Sequence, residues 1–253
     1  MAPYFWHREI LPEDFNLAFR LASPSVIYPG VGHFVPERSG KLADDIFAHH
    51  YLVNEPKFAK LLGMENVKYF IFEEDYGKIE GMEFIRAINK DKEGFITYLY
   101  RNNRWMPRAY FVGSYKVRLP EDILKEIFND DFEPSREVFL EKNPNMPVSD
   151  GRGLVNIRSY SDEKIVIDAK AQDGGFLVLS DTYYPGWKAY VDGKEAEILR
   201  ANYAYRALYL EKGDHEVTFE YKPMSVRVGA YISGGSLLIL VLALFVLGKR
   251  RLL

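Results

Sequence analysis

Asp181, Tyr183, Tyr184 and Trp187 fall together in the stretch SDTYYPGWKAYVDGK, residues 180–194. Flat aromatic faces of this kind stack on pyranose rings, while carboxylates, amides and guanidinium groups bond sugar hydroxyls. Asn202 and Arg206 follow shortly downstream and add an amide and a cation. These six residues are the candidates for binding carbohydrate. The same stretch also reads as a folding corner. Pro185 fixes φ and Gly186 accepts positive φ, as a type II turn requires. Val191-Asp192-Gly193-Lys194 carries the Asp-Gly signal of a two-residue type I′ hairpin. Trp187 then opens a strand and packs under the corner. The two uses can share residues.

Other groups point to less chemistry. Paired acids occur at Asp44-Asp45, Glu73-Glu74-Asp75 and Asp130-Asp131. Neighbours in a strand point to opposite faces, so they read as solvated turns rather than a metal site. Asp45 and His49 share a helix face at i, i+4, but two ligands do not make a site. No glycine-rich loop follows a strand, and no Ser or Thr sits in a nucleophile elbow. The chain has no cysteine, which removes thiol catalysis, thiolate metal sites and disulfides. No catalytic set, metal or cofactor is therefore expected. The net charge of -3 and the lack of a basic, aromatic-interleaved stripe argue against nucleic acid as a partner.

The elements that would hold the corner change character along the 253 residues. Residues 1–53 are broken by prolines, with a short helix expected at DDIFAHHY, residues 44–51. Asn54 caps a helix over EPKFAKLLGM. VKYFIFE (67–73), EFIRAI (83–88), FITYLYR (95–101) and AYFVGSYKV (109–117) read as strands, and EDILKEIFND as a helix after Pro120. This makes an α+β module over 1–133. Pro134, Pro144, Pro147 and SDGRG mark a linker at 134–153. Seven short strands follow over 154–225, in the pattern of an all-β sandwich. The expected fold is thus an α+β N-terminal module, a β-sandwich and one C-terminal transmembrane helix.

That helix is expected at 226–248, with a tail at 249–253. Residues 228–248 carry no charge, and 21 residues of helix span about 30 Å, the thickness of a hydrocarbon core. Ten of the eleven residues in LLILVLALFVL are Leu, Ile, Val or Phe; they favour the bilayer by roughly 3–6 kcal/mol. Lys249, Arg250 and Arg251 follow at once and place the tail in the cytoplasm. The protein is read as single-pass in the cell membrane, with its water-soluble part extracytoplasmic. The N-terminal MAPYFWHREI has no charged-then-apolar signal segment. Gly229 and Ser233, and Ala230 and Gly234, are small residues four apart, a spacing that lets membrane helices approach closely. Both features predict partner helices, upstream in a longer protein or on a polytopic partner chain.

With these blocks in view, the chain resembles the YfhO-like bacterial and archaeal membrane proteins. DTYYPGWKAYVDGK and RANYAYRALYLEKGDHEVTFEYKP carry the resemblance most specifically. LLGMENVKYFIF, MPRAYFV and FNDDFEPSREVFLE fit it in the same order, from about Leu61 onward. The resemblance implies a large polytopic protein of GT-C glycosyltransferase type. Such a protein would transfer sugar from a lipid-phosphate carrier to cell-envelope glycans or glycolipids. The helices and first-loop acids taken as catalytic in such proteins precede the region that this sequence matches. The resemblance therefore implies the non-catalytic extracytoplasmic portion and last helix, positioning an acceptor or stabilising the enzyme. A free-standing membrane-anchored carbohydrate-binding or scaffold protein is the alternative.

Overall fold

The computed structural model describes residues 17–21, 56–72, 75–90 and 95–250. The expected helix at 44–51, its Asp44-Asp45 and His49-His50 pairs, and Glu73-Glu74 lie outside these residues. Among the described residues no group of three or more His, Asp or Glu is placed to hold a metal, and Asp130 and Asp131 are exposed on a turn.

Three sheets and three helices make up the described chain. Strand β1 (Leu17–Leu21) runs parallel to β2 (Tyr69–Phe72), and helix α1 (Pro56–Met64) lies between them in sequence. β3 (Met82–Lys90) and β4 (Phe95–Asn102) pair antiparallel, as their alternating apolar pattern predicts. These strands form the first sheet in the order β1-β2-β4-β3. The turn-rich segment between β3 and β4 lies outside the described residues. Phe58, Leu61 and Leu62 are spaced at i, i+3 and i+4 on α1 and are buried on one face.

AYFVGSYKV forms two strands, β5 (Ala109–Val112) and β6 (Ser114–Val117), broken at Gly113. Helix α2 (Pro120–Glu126) follows, with Pro120 in its first turn. β7 (Glu137–Leu140) lies where a linker was expected. β8 (Gly153–Tyr160), β9 (Lys164–Ala171), β10 (Gly175–Thr182) and β11 (Trp187–Val191) match the sequence pattern closely. EAEILR splits into β12 (Lys194–Ala196) and β13 (Leu199–Ala201), which enter different sheets. β14 (Tyr205–Leu210) and β15 (Gly213–Tyr221) complete the strands.

The second sheet has the order β5-β10-β14-β13-β7-β6, and the third β12-β11-β15-β9-β8. A sandwich is present, but its make-up differs from the expectation. Strands from residues 109–117 and 137–140 hydrogen-bond into the same sheet as β10 and β14, across the boundary that the proline-rich stretch suggested. Hydrogen-bond partners are long-range, and alternation within a strand says nothing about which strand lies beside it.

Leu177, Leu179, Leu208 and Leu210 of the second sheet meet Ile165, Ile167, Val217 and Phe219 of the third in one apolar layer. Fully burying each such side chain contributes about 1.5–3 kcal/mol. The opposite face of the second sheet is covered too. Phe176, Val178, Tyr205 and Ala207 join Phe58, Leu61 and Phe70 in another continuous cluster. Five successive residues of β10 are buried because both faces of its sheet are covered, the condition under which a strand reads as an unbroken apolar run.

The expected linker is instead sewn to the sheet. Ser149 N donates to Gly113 O at 2.9 Å. A Cβ on Gly113 would lie 2.2 Å from Gly151 N and 2.3 Å from Ser149 O, both backbone atoms. Gly151 itself has φ +67°, a conformation that favours glycine. Gly113→Ala is therefore expected to cost about 1–3 kcal/mol, the usual range for overpacking. Urea unfolding would read it; a loss under about 0.5 kcal/mol, the scale of an ordinary surface change, would show that the stretch moves aside freely.

Helix α3 (Met224–Arg250) extends for 27 residues directly after β15. Its side chains are described only as far as Leu240, and there the apolar ones are bare on every side: Tyr231 is 74% exposed and Leu240 55%. Among the described residues no helix is long and apolar enough to cross a membrane.

Candidate functional site

The corner forms from local turn chemistry. Trp187 N donates to Tyr184 O at 3.4 Å, closing a turn over Pro185 and Gly186. Gly186 has φ +108°, and a Cβ there would meet Tyr221 and Pro223 at 2.9 and 3.2 Å. Asp192 and Gly193 have φ +51° and +78°, the two positive values of a type I′ hairpin. Asp192 then accepts from Glu216 N at 2.9 Å and lies 2.8 Å from His215 Nδ1. Lys222 N donates to Gly186 O at 2.7 Å, which ties the corner to the residues just before α3.

A cleft of about 400 Å³ opens beside this corner, where the second and third sheets part. Arg108, Tyr160, Asp181, Tyr184, Trp187 and Arg206 are among its walls. Asp181, at the end of β10, is the hub. Arg206 Nη2 donates to Asp181 Oδ2 at 2.9 Å, and Arg108 Nη1 to Oδ1 at 2.7 Å. The Tyr160 hydroxyl donates to Asp181 at 3.1 Å from Oδ2. The Arg108 guanidinium also stands 5.1 Å from the Tyr160 ring centroid.

Arg206 lies on the inward face of β14, together with Leu208 and Leu210. Its side chain is 2% exposed, against 9% for Asp181. The guanidinium stacks 4.1 Å from the Trp187 centroid and 5.2 Å from that of Phe219. Its Nε and Nη1 are buried and have no hydrogen-bond partner among the described residues. Burial lowers the Arg206 pKa, and the charge of Asp181 opposes that; an arginine stays protonated in either case. For Arg108 burial also works downward, but the hydrogen bond and charge of Asp181 prevail and raise its pKa. Burial, then the charge of Asp181, raises the Tyr160 phenol.

Four of the six sequence candidates, Asp181, Tyr184, Trp187 and Arg206, line this cleft. Tyr184 is 47% exposed at the rim. Trp187 packs under the corner as expected and also stands on the cleft wall. It lies 5.4 Å from the Tyr221 ring. Tyr183 turns elsewhere and is capped by Arg200, whose guanidinium stands 4.5 Å from its ring centroid.

Asn202 is a correction. It is fully buried in the turn before β14, and its side chain serves the fold. Its Oδ1 accepts from Phe139 N at 2.9 Å, joining β13 to β7, and its Nδ2 donates to the Tyr110 hydroxyl at 3.4 Å. Both of its polar side-chain atoms are committed to the fold, and it does not line the cleft. Nearby, Tyr205 donates to Glu65, whose carboxyl is pushed up by burial.

Arg108 and Tyr160 were missed by the sequence reading. They stand 73 and 21 residues from Asp181 in the chain. One signal was present: Arg206 interrupts the inward face of YRALYL, and a buried cation requires an acid nearby. Nothing in the sequence marked Arg108.

Another cleft, of about 440 Å³, lies on the outer face of the third sheet, around Arg158, Asp168, His215 and Glu216. Its charges pair with one another, with Arg158 bonded to Asp168 and, at 2.6 Å, to Glu216.

The fold and the cleft define a β-rich sandwich protein with a polar, aromatic-walled mouth next to an apolar helix. Residues 152–233 match the family model described as bacterial membrane protein YfhO, and the chain is YfhO-like over that stretch. Over 76 residues it is 30% identical to the uncharacterized protein YfhO of Bacillus subtilis (strain 168). That alignment covers 30% of this chain and 8% of the relative. No solved structure matches. The matched region takes in Tyr160, the corner, Arg206 and the start of α3, and leaves out Arg108.

Proposed function

We propose that this chain is the extracytoplasmic, non-catalytic portion of a membrane glycosyltransferase-like protein, and that its cleft positions an acceptor glycan or glycolipid. Helix α3 crosses the membrane once, the tail from Lys249 is cytoplasmic, and other membrane helices, on this protein or on a polytopic partner, pack against it. A lipid-linked sugar donor would belong to those helices. The family match supports membrane association. The observation that carries the rest is the junction of cleft and helix. The aromatic corner is bonded to Lys222, two residues before α3 begins. A glycan held by Trp187 and Tyr184 would thus sit at the membrane surface, where a membrane-embedded active site opens. The helix exposes apolar side chains on every described face, which lipid or other helices would cover. In the cleft, Asp181, Arg108 and Tyr160 supply acceptors and donors beside two aromatic faces, the combination that fixes a sugar in one orientation.

The test is fractionation and topology. The expressed chain should stay in the membrane pellet through an alkaline wash and leave it only with detergent. Protease added outside intact cells should digest the bulk and spare a tag fused after Leu253. A monomer that remains in aqueous buffer without detergent would overturn the proposal, as would a bulk protected from external protease.

A further inference from the structure

We infer that the cleft selects a saccharide bearing an oxyanion, a carboxylate or a phosphate, and that Arg206 and Arg108 are the groups that select it. The inference rests on the glycan reading above and adds to it the charge of the ligand. It begins from unequal pairing. Arg206 and Arg108 both direct a nitrogen at the same carboxylate, that of Asp181. Two buried or half-buried cations therefore share one buried anion. The other acid on the cleft wall, Asp162, is exposed at the rim, where water screens it.

The orphaned donors point the same way. Nε and Nη1 of Arg206 have no partner among the described residues. The side chain holding them is 98% buried, since 2% is exposed. The guanidinium lies over the rings of Trp187 and Phe219, which keep water from it. Unpaired donors on a buried cation are costly. An oxyanion entering the cleft supplies acceptor oxygens and the missing negative charge together. A neutral sugar supplies only weaker acceptors. Arg108, one third exposed, is free to swing its remaining nitrogens towards the same group. The geometry of a guanidinium matches a planar carboxylate or a phosphate through paired N–H bonds. Trp187 and Tyr184 then hold the ring to which the oxyanion is attached.

The experiment uses the full chain in a neutral detergent and follows tryptophan fluorescence, since Trp187 forms the wall. Four probes are titrated: glucose, glucuronate, glucose 1-phosphate and inorganic phosphate. Glucuronate or glucose 1-phosphate should bind at least about tenfold more tightly than glucose, the effect of one charge-assisted hydrogen bond. Which of the two binds better identifies carboxylate or phosphate as the source. Arg108→Gln should remove about tenfold of that preference, weakening the acidic sugars by that much more than it weakens glucose. Because Arg108 is partly exposed, this variant should fold, which circular dichroism checks; Arg206→Lys gives a second reading if it folds. Equal binding of glucose and both acids would overturn the oxyanion inference and leave the glycan reading standing. Binding of inorganic phosphate with no added affinity from a sugar ring would support the oxyanion site and overturn the glycan reading. No binding by any probe would overturn both.

Discussion

Asp181→Ala should destabilise the protein by about 3–5 kcal/mol, the cost of leaving a buried charge without its partner. The reason lies with the groups left behind. Arg206 is 2% exposed and has one ionic partner among the described residues, Asp181, at 2.9 Å. Two of its nitrogens already lack partners among the described residues, so the charge has no second ion pair there to fall back on. Arg108 loses the same carboxylate but is one third exposed, and it can turn to water at little cost. Tyr160 loses an acceptor at the surface. The loss therefore concentrates on a single guanidinium packed over two aromatic rings. Asp181→Asn should recover part of it, since an amide oxygen still accepts from Arg206, though without the charge. Replacing both members with apolar groups, Asp181→Leu with Arg206→Met, should come back close to the original stability, because desolvation of the pair then disappears along with its attraction. Urea unfolding of the full chain in mild detergent measures all three. A single-variant loss below about 1 kcal/mol, the worth of an exposed pair, would mean that Arg206 finds water in the cleft. The argument that its nitrogens await a ligand would then fail.

How much of this was legible in the sequence follows from the range of each interaction. The corner was legible because its causes are local. Pro185-Gly186 and Asp192-Gly193 need only their own backbone angles, and the structure places positive φ at Gly186, Asp192 and Gly193. The strands β9, β10, β11, β14 and β15 were legible for a similar reason, since their alternation or apolar runs are read residue by residue. Partnership was not. β5 lies beside β10, with Phe176 opposite Val112, although 63 residues separate β5's last residue from the first of β10. Nothing in AYFV announces that neighbour. β7 escapes notice because EVFL is short and sits among acids and prolines, while the strands it pairs with lie elsewhere in the chain. EAEILR has the pattern of one strand because its break, between Ala196 and Leu199, is a change of sheet rather than a turn with Gly or Pro. The site followed the same rule. Asp181, Tyr184 and Trp187 lie along one corner and were found together. Asn202 has the residue type of a binding group, but burial decides its use, and the sequence does not state burial for a turn.

Phe176→Ala should cost about 3–5 kcal/mol, the usual penalty for emptying a buried aromatic site, and the whole described fold should still melt in one step. Phe176 is fully buried at the start of β10. Its ring meets Tyr115 of β6 at 5.2 Å and Tyr209 of β14 at 5.4 Å, edge to face. It belongs to the cluster that also contains Phe58 and Leu61 of α1 and Phe70 of β2. Two modules split at the proline-rich stretch would each have a core of its own. Unfolding would then show two transitions, with only the later module shifted by this substitution. A shared cluster predicts the opposite. The cavity weakens contacts of α1, the first sheet and the second sheet at once, so fluorescence and circular dichroism should move together to a lower urea midpoint with the same slope. A further tie crosses the same boundary: Tyr205 of β14 donates to Glu65 just after α1. Two separated transitions, with the earlier residues unmoved by Phe176→Ala, would restore the division into modules. In that case the cleft, whose Arg108 comes from the earlier segment and whose Asp181 comes from the later one, would be a site assembled between two folding units rather than within one.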